Sequence, residues 1–306
     1  MPLPRDTIGS MITQRMAILP ATWVQREELI GALNAAYADY FVPIHLTPRS
    51  FDDLVARESI DLEASAVAIC NGEVIGMGLL AIRGRRGWIG GMGVLPPYRR
   101  QGVGHRVIEY LIEQACLHRL ETVQLEVIAQ NTGARRLYES CGFKAARKLM
   151  VLSFMGGEGR KVAPPSGGQQ PAIIPASPAD ALTALYRLPG VQRPWQRERS
   201  VLEAALAHLE ALAAYHRTDG RLLGVCLSLG NTTHRNLLDL AATDAEVGRL
   251  LLAALLDRYP LAGFSYLNVA EDDPLLPTLL AGGFTESLRQ YEMFLSLHQE
   301  AAHGCI

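Results

Sequence analysis

The sequence predicts an α/β (α+β) fold, a mixed and mostly antiparallel twisted sheet flanked by helices, present twice in the chain. Two observations lead to this prediction. The first half alternates strand and helix patterns, with tight turns between its early strands. The second half repeats the end of that pattern at the same spacing. The chain has 306 residues, and a prior of roughly 150 residues per domain also indicates two domains.

The elements of the first half follow from apolar periodicity and turn residues. Asn71-Gly72 between two apolar runs is a strong hairpin signal. Val103, Val107 and Leu111 recur four residues apart, as on one face of a helix. We predict helices over 25–37, 50–57, 102–120 and 132–140, and strands over 65–70, 74–82, 88–95, 122–128 and 148–154.

A polar segment near the middle of the chain predicts the domain boundary. Residues 156–171 are rich in Gly and Pro and lack any apolar period, as expected of a linker. We therefore predict domains at 1–155 and 172–306; a long surface loop within one domain is the alternative. Residues 1–155 carry a formal charge of +2 and residues 156–306 carry −4. An anionic ligand would favour the first domain.

Composition excludes several classes of protein. Apolar residues make up 49% and charged residues 20%, which excludes a disordered or fibrous chain. A net charge of −2 argues against a general nucleic-acid binder. Five scattered cysteines indicate a reducing compartment and no zinc site. The longest apolar run, 250–256, is too short to span a bilayer, and residues 1–15 do not resemble an export signal. We expect a cytoplasmic protein that uses no metal and binds neither nucleic acid nor membrane.

The segment 94–104 connects a predicted strand to a predicted helix and has the features of an anion-binding loop. Gly102 and Gly104 let the backbone pass close to a ligand. The first amides of the helix have no intrahelical partner, and the helix dipole favours an anion there. Arg99 and Arg100 add positive charge. A pyrophosphate fits these features, although a Gly-x-Gly before a helix also occurs in simple tight turns.

Two signatures resemble those of the GNAT N-acetyltransferase superfamily and together span about residues 60–155. Pro96-Pro97-Tyr98 followed by Arg99-x-x-Gly102-x-Gly104 resembles the family's acetyl-CoA loop, and the second signature is Leu125-Glu126-Val127, Asn131, Ala134, Leu137-Tyr138 and Gly142-Phe143. Residues 39–43 and 88–93 are similar to tandem bacterial members. The resemblance implies acetyl-CoA as the cofactor and direct transfer of an acetyl group to a primary amine in a ternary complex.

The resemblance also assigns roles to individual residues. Tyr138 takes the position of the tyrosine that protonates the departing thiolate. Four residues sit where family members line the acceptor pocket, although core packing explains at least two of them: Tyr37, Tyr40, Phe41 and His45. The cofactor-binding positions are Met92, Val94, Leu95, Pro96, Arg99, Arg100, Gln101, Gly102, Val103, Gly104, His105 and Asn131. A backbone N–H of the strand 88–94 would stabilise the developing oxyanion.

The general base is less well indicated. Many relatives carry a Glu on the strand before the loop, but residues 88–95 include no carboxylate. Glu126 on the following strand is the nearest substitute, and a solvent-facing strand residue is the other interpretation. Glu63, Asp61 and His45 are more distant options. The missing carboxylate favours a second functional hypothesis, a non-catalytic acyl-CoA-binding sensor, whereas Tyr138 disfavours it.

The second half is predicted to be a degenerate copy without a cofactor loop. Leu125–Phe143 and Tyr266–Phe284 both span 18 residue steps. Asp244 and Glu246 begin the helix that follows the paired strands, where acids repel a pyrophosphate. Leu279 or Leu280 takes the tyrosine position. This domain would cover the acceptor cleft, form a homodimer contact or stabilise the first domain. The identity of the acceptor stays open.

Overall fold

The computed structural model describes residues 16–42, 44–157 and 170–297. Most of the predicted linker, as well as Pro43 and Cys305, lies outside these residues. The chain divides into two compact units. Unit 1 comprises residues 1–146 together with 291–306, and unit 2 comprises residues 147–290. No helix of the described ranges is both long and apolar enough to cross a lipid bilayer.

Unit 1 has strands β1 to β5 in sequential order in one sheet. Neighbours from β1 to β4 are antiparallel, and β4 and β5 are parallel. The elements are β1 (Met16–Pro20), α1 (Arg26–Tyr37), α2 (Pro48–Glu58), β2 (Ile60–Cys70), β3 (Glu73–Arg83), β4 (Arg86–Val94), α3 (Val103–Leu117), β5 (Thr122–Ile128) and α4 (Thr132–Ser140).

Local chemistry explains the turn and the helix packing that position the site. Asn71 and Gly72 have φ values of 52° and 81°, as a type I′ hairpin between β2 and β3 requires. The apolar stripe of α3 packs against β3, where a Cβ on Gly78 would lie 2.6 Å from Leu111 Cδ1. The missing side chain at Gly78 therefore lets α3 lie directly on the sheet.

Unit 2 repeats the order and the strand directions of unit 1. Strands β7 to β10 are antiparallel in sequence, and β10 and β11 are parallel. The elements are β7 (Ala172–Ala176), α5 (Pro178–Leu185), α6 (Arg199–Ala204), β8 (Glu210–Tyr215), β9 (Leu222–Gly230), β10 (His234–Ala242), α7 (Ala245–Arg258), β11 (Gly263–Ala270) and α8 (Leu276–Ala281). The predicted mixed, mostly antiparallel fold, present in tandem, is confirmed.

The closing strand of each copy is exchanged, which the sequence did not predict. The strand β6 (Lys144–Phe154) contributes residues 147–154 to unit 2, beside β11, and β12 (Thr285–Ser296) contributes residues 291–296 to unit 1, beside β5. Met150, Leu152 and Phe154 are buried in the core of unit 2, and Met293 in that of unit 1. The division after Ala146 therefore differs from the predicted boundary at 155. Alternating apolar residues predict a strand but not which sheet receives it.

Candidate functional site

The site is built where β4 and β5 separate. The two strands pair only between Arg86–Trp88 and Thr122–Gln124, although β4 continues to Val94 and β5 to Ile128. A β-bulge at Gly90 interrupts the pairing of β4 with β3 and bends the strand at this point. Residues 89–94 of β4 thus border an opening, which we call the β4–β5 opening.

Two residues of β4 direct their backbone groups into this opening. The Leu95 N–H donates to the Ile75 carbonyl of β3 at 2.9 Å. Because alternate residues of a strand direct their backbone groups to opposite edges, Met92 and Val94 point away from β3. These are the two residues predicted to pair with the pantetheine arm. In the structure the Val94 carbonyl accepts from Arg99 Nε at 3.0 Å.

The backbone of Met92 is bonded to the side chain of Tyr37, the last residue of α1. The Tyr37 hydroxyl accepts from the Met92 N–H and donates to the Met92 carbonyl, both at 3.1 Å. Gly93 makes this approach possible, because a Cβ there would lie 2.7 Å from Ala36 Cβ. Burial raises the pKa of Tyr37 to about 12, so the hydroxyl stays neutral and serves as donor and acceptor together.

Three tyrosines, Tyr37, Tyr40 and Tyr138, form a cluster at the opening. The rings of Tyr37 and Tyr40 meet edge to face with centroids 4.9 Å apart. Burial raises the pKa of Tyr40, and the neighbouring side chain of Asn131, which caps α4 by accepting from the Ala134 N–H at 3.1 Å, partly offsets this effect. Tyr138 is 7% exposed, and burial, followed by its proximity to Tyr37 and Tyr40, raises its pKa well above the ordinary value.

The loop before α3 leaves the helix N-terminus open. Pro96–Tyr98 form a 3₁₀ turn after Leu95, Arg100 has a φ of 62°, and Gly102 is the N-cap with a φ of 82°. No side chain caps α3, and its first turn contains no acidic residue. The first amides of the helix, those of Val103, Gly104 and His105, have no intrahelical acceptor by helix geometry. The helix end is therefore suited to an anion.

Close packing brings this helix end to the opening. A Cβ on Gly104 would lie 2.9 Å from Met92 Cε and 3.1 Å from Leu137 Cδ2. Gln101 closes the loop by donating from Nε2 to the Pro97 carbonyl at 2.8 Å. The imidazole of His105 lies 3.3 Å from Glu109, one turn along α3, so the side chain of His105 points along the helix surface.

Arg99 braces the loop against α1. Its guanidinium donates to both carboxylate oxygens of Asp39, at 2.6 and 2.7 Å, and to the Ala36 carbonyl at 2.9 Å. The bond to Arg99 lowers the pKa of Asp39. We predicted Arg99 as a positive charge beside the phosphates. The structure places its guanidinium in contacts that fix the end of α1 to the end of β4, and its role beside the phosphates stays a prediction.

Glu126 is held in place at the point of divergence. Its carboxylate accepts from Trp88 Nε1 at 2.7 Å. The neighbours Leu125 and Val127 face the α3 side of the sheet, in the core, so Glu126 lies on the opposite face, where α1 packs. The Trp88 indole lies across Gly90, where a Cβ would be 2.0 Å from Trp88 Cζ3. Glu126 is half-buried, unlike the solvent-facing residue of the alternative interpretation.

The remaining predicted residues lie at the rim or are engaged locally. Phe41 is 54% exposed and contacts the Tyr40 ring with centroids 5.5 Å apart, while His45 is exposed in the segment beyond it. Glu63 accepts from the Thr22 hydroxyl at 2.6 Å. Nothing in the sequence indicated the bonds of Tyr37 to Met92, Arg99 to Asp39 or Trp88 to Glu126, because these partners lie 38 or more positions apart.

Unit 2 contains the same divergence of strands, but its own side chains occupy the space. β10 has a bulge at Leu238 and pairs with β11 only at His234–Asn236. Leu240, two residues beyond the bulge, matches Met92 in position. The Leu240 N–H donates to the Tyr266 hydroxyl at 3.3 Å, and Arg197 Nη1 donates to the Asn268 carbonyl of β11 at 3.3 Å.

A buried ion pair completes this filling. Arg197, only 6% exposed, donates to Asp239 at 3.0 Å, and Arg193 donates to the same carboxylate at 2.5 Å. The cavity that remains measures about 10 Å³, room for about one water molecule. Asp244 caps α7 through the Val247 N–H at 2.9 Å, as expected of a self-capped helix.

Within residues 16–42, 44–157 and 170–297, no three His, Cys, Asp or Glu side chains are grouped so as to hold a metal ion.

Part of the chain is similar to a known family and to curated proteins. The model of the acetyltransferase (GNAT) family matches residues 30–143. The chain is 37% identical over 83 residues to the [ribosomal protein bS18]-alanine N-acetyltransferase of Escherichia coli, covering 27% of this chain and 49% of that protein. It is 33% identical over 100 residues to N-alpha-acetyltransferase 30 of Dictyostelium discoideum, covering 31% and 54%. The chain thus spans about half the length of the curated relatives it matches.

Solved structures share the fold over almost the whole chain. A GCN5-related N-acetyltransferase from Sphaerobacter thermophilus superposes with a TM-score of 0.65 at 17% identity, covering 96% of this chain and 97% of that one. A tandem GNAT protein from the clavulanic acid biosynthesis pathway superposes with a TM-score of 0.64 at 16% identity, covering 92% and 98%. Residues 30–143 are therefore similar to the GNAT family of acetyltransferases, and the chain shares the fold of a tandem GNAT protein.

Proposed function

We propose that the chain is an acetyl-CoA-dependent N-acetyltransferase whose site lies in unit 1. The β4–β5 opening is the observation that carries the proposal. It presents the backbone edge of Met92 and Val94 beside the uncapped N-terminus of α3. An extended amide-containing arm that ends in a diphosphate matches both features. The names of the curated relatives, both N-acetyltransferases, support the same activity.

The residues present fit this cofactor. Acetyl-CoA supplies an acetyl group activated as a thioester. Met92 and Val94 would pair with the pantetheine arm as a neighbouring strand would, and the amides at 103–105 would hold the pyrophosphate. Glycine suits the cradle, because a Cβ on Gly104 would lie 2.9 Å from Met92 Cε and Gly102 has a left-handed φ. Asn131 orders the start of α4 beside Tyr40.

Tyr138 is proposed to assist the departure of the thiolate by hydrogen bonding. Its pKa is raised by burial, so the hydroxyl is protonated throughout the physiological pH range. An ordinary thiol has a pKa of about 8.5, so complete proton transfer from Tyr138 to the thiolate is uphill. Donation of a hydrogen bond carries no such penalty, and a bond to a charged acceptor is stronger than one to a neutral acceptor.

Glu126 is proposed as the base that takes the proton of the amine. Its carboxylate lies on the same face of the sheet as α1, fixed by the Trp88 indole. The fixed orientation favours proton transfer, because catalysis by a base requires that it be held within hydrogen-bonding reach of the amine. The amine then attacks the acetyl group directly, without a covalent enzyme intermediate.

The acceptor is a primary amine. The relatives are named for acetylation of a protein alanine and of N-alpha amines, so the α-amine of a peptide is the first class to test. Tyr37, Tyr40, Phe41 and His45 are proposed to border the acceptor, at the end of α1.

Unit 2 is proposed to bind no cofactor, which limits the chain to one acetyl-CoA. The Tyr266 hydroxyl occupies the Leu240 N–H, which corresponds to the pantetheine edge, and Arg197 binds the Asn268 carbonyl on the facing strand β11. Asp244 and Glu246 place negative charge at the start of α7, where a pyrophosphate would have to bind. Calorimetric titration of the full chain should therefore give a stoichiometry of one.

The test of the activity is thiol release from acetyl-CoA with a panel of amines, including alanine-terminated peptides, lysine peptides, amino acids and aminoglycosides. Tyr138→Phe should lower turnover by about 10²-fold while the Kd for acetyl-CoA stays within about 2-fold. Glu126→Gln retains an acceptor for Trp88 and should lower turnover at neutral pH. Tyr110→Phe, on α3, is the matched control and should leave both quantities unchanged.

The outcomes separate the two functional hypotheses. Thiol release that depends on a particular amine supports the transferase. Tight binding of acetyl-CoA without release for any amine would support the sensor instead. If the chain does not bind acetyl-CoA, both hypotheses are wrong.

A further inference from the structure

The Tyr37 hydroxyl forms the two hydrogen bonds at the open edge of β4 that a ligand would otherwise form. It accepts from the Met92 N–H and donates to the Met92 carbonyl, each at 3.1 Å. The raised pKa of Tyr37 keeps its hydroxyl neutral. A neutral hydroxyl can accept one hydrogen bond and donate another at the same time. The backbone of Met92 is thereby satisfied without any ligand, which removes the cost of leaving a buried N–H unpaired.

The same two groups are required by the proposed cofactor. One N–H cannot donate a full hydrogen bond to two acceptors in the same direction. A carbonyl oxygen of the acyl group that accepts from Met92 must therefore displace the hydroxyl. Binding therefore exchanges the tyrosine oxygen for the acyl oxygen as the acceptor of the Met92 N–H. The binding free energy gained is smaller than the free energy of the new hydrogen bond alone.

We propose that the Tyr37 hydroxyl is a built-in substitute for the acyl carbonyl oxygen, holding the Met92 N–H in the unloaded protein and giving way when an acyl thioester binds. The inference rests on the proposed function, since it assumes that the β4–β5 opening takes acetyl-CoA. Tyr37 is then a positioning residue. Its hydroxyl keeps the site ordered in the unloaded protein and also lowers the affinity for acetyl-CoA.

The surroundings of Tyr37 indicate that the side chain moves and the helix stays. Arg99 binds the Ala36 carbonyl and the Asp39 carboxylate, on either side of Tyr37 in the chain. Gly93 lets this end of α1 lie against β4, with only 2.7 Å between Ala36 Cβ and the place of a Cβ on Gly93. Because the backbone is held at both flanks, rotation of the Tyr37 side chain is the available motion.

The test is calorimetric binding of acetyl-CoA and of CoA to the full chain, wild type and Tyr37→Phe. The phenylalanine keeps the ring and removes only the competing hydroxyl. Loss of one or two hydrogen bonds of ordinary strength predicts that acetyl-CoA binds about 5- to 20-fold more tightly to the variant. CoA keeps the pantetheine arm but has no acyl oxygen, so its affinity should rise by a smaller factor than that of acetyl-CoA. Tyr110→Phe serves as control and should match wild type with both ligands.

Three results would count against the inference. Unchanged or weaker binding of acetyl-CoA by Tyr37→Phe would overturn it. An equal gain for CoA and acetyl-CoA would show that the hydroxyl does not stand in for the acyl oxygen. If wild type binds neither ligand, the proposed function itself fails, and this inference falls with it. Matching near-ultraviolet circular dichroism of the two proteins would show that the variant is folded.

Discussion

Replacing Gly93 by alanine should separate α1 from β4, while the same change at Gly91 should not. Both glycines lie on β4 beyond the bulge, two residues apart and on the same face. A Cβ on Gly93 would lie 2.7 Å from Ala36 Cβ, an atom attached directly to the backbone of α1. A Cβ on Gly91 would lie 3.4 Å from Leu79 Cδ1, the end of a flexible side chain.

The geometry sets the size of the effect. Carbon atoms in contact prefer a separation of about 3.5–4.0 Å, so Gly93→Ala must move α1 by about 1 Å. Overpacking of this kind costs about 1–3 kcal/mol. Alanine in place of glycine within a strand otherwise adds about 0.5–1 kcal/mol of stability. The free energy of unfolding of Gly93→Ala should therefore fall below that of Gly91→Ala by about 1–3 kcal/mol.

Urea unfolding of the two variants measures this difference, and hydrogen exchange over residues 26–37 locates it. In Gly93→Ala the amides of α1 should exchange faster than in Gly91→Ala, because the displaced helix loses its contact with β4. Equal midpoints for the two variants, or unchanged protection of α1 in Gly93→Ala, would refute the packing argument. The bond between Tyr37 and Met92 would then not depend on the glycine.

The next three expectations concern an exposed ion pair, a buried ion pair and a buried thiol. Arg99 holds the pKa of Asp39 below its ordinary value. At neutral pH wild type should therefore be more stable than Asp39→Asn. In acid unfolding this difference in the free energy of unfolding should vanish as the pH falls below about 4. Asp239→Ala leaves Arg197 buried without its carboxylate and should lower the free energy of unfolding in urea by about 3–5 kcal/mol, most of it recovered by the double variant Arg197→Met/Asp239→Leu. Burial raises the pKa of Cys226 to about 12, so mass spectrometry should find it unmodified by a thiol reagent in the folded protein and modified in urea; labelling before unfolding would contradict its burial.

Local features of unit 1 could be predicted because they depend on neighbouring residues. The helix at Thr132–Ser140 and the strand at Thr122–Ile128 have the predicted bounds, since each follows from apolar spacing and a capping or turn residue nearby. Asn71-Gly72 forms the predicted hairpin turn because only a left-handed φ at both positions closes it.

Contacts between distant parts of the chain could not be predicted in this way. The contact of Arg99 with Asp39, 60 positions earlier, depends on how the chain folds back and not on neighbouring residues. Glu126 could not be assigned to a face of the sheet until α3 was seen to cover the side of Leu125 and Val127. Periodicity reports the alternation of a strand, whereas the covering helix decides which face is buried.

The amino-acid sequence by itself determined the tandem fold, the glycine loop before α3 and the acids that replace it before α7, since each depends on a short run of residues. The tertiary structure decided which strand closes each sheet and which side chains reach the backbone at the two openings. Tyr37 bridges Met92 in unit 1, and Tyr266 with Arg197 fills the corresponding space in unit 2. The physical reason is that a backbone N–H or carbonyl at a strand edge accepts any well-placed partner, and only packing determines which side chain arrives there.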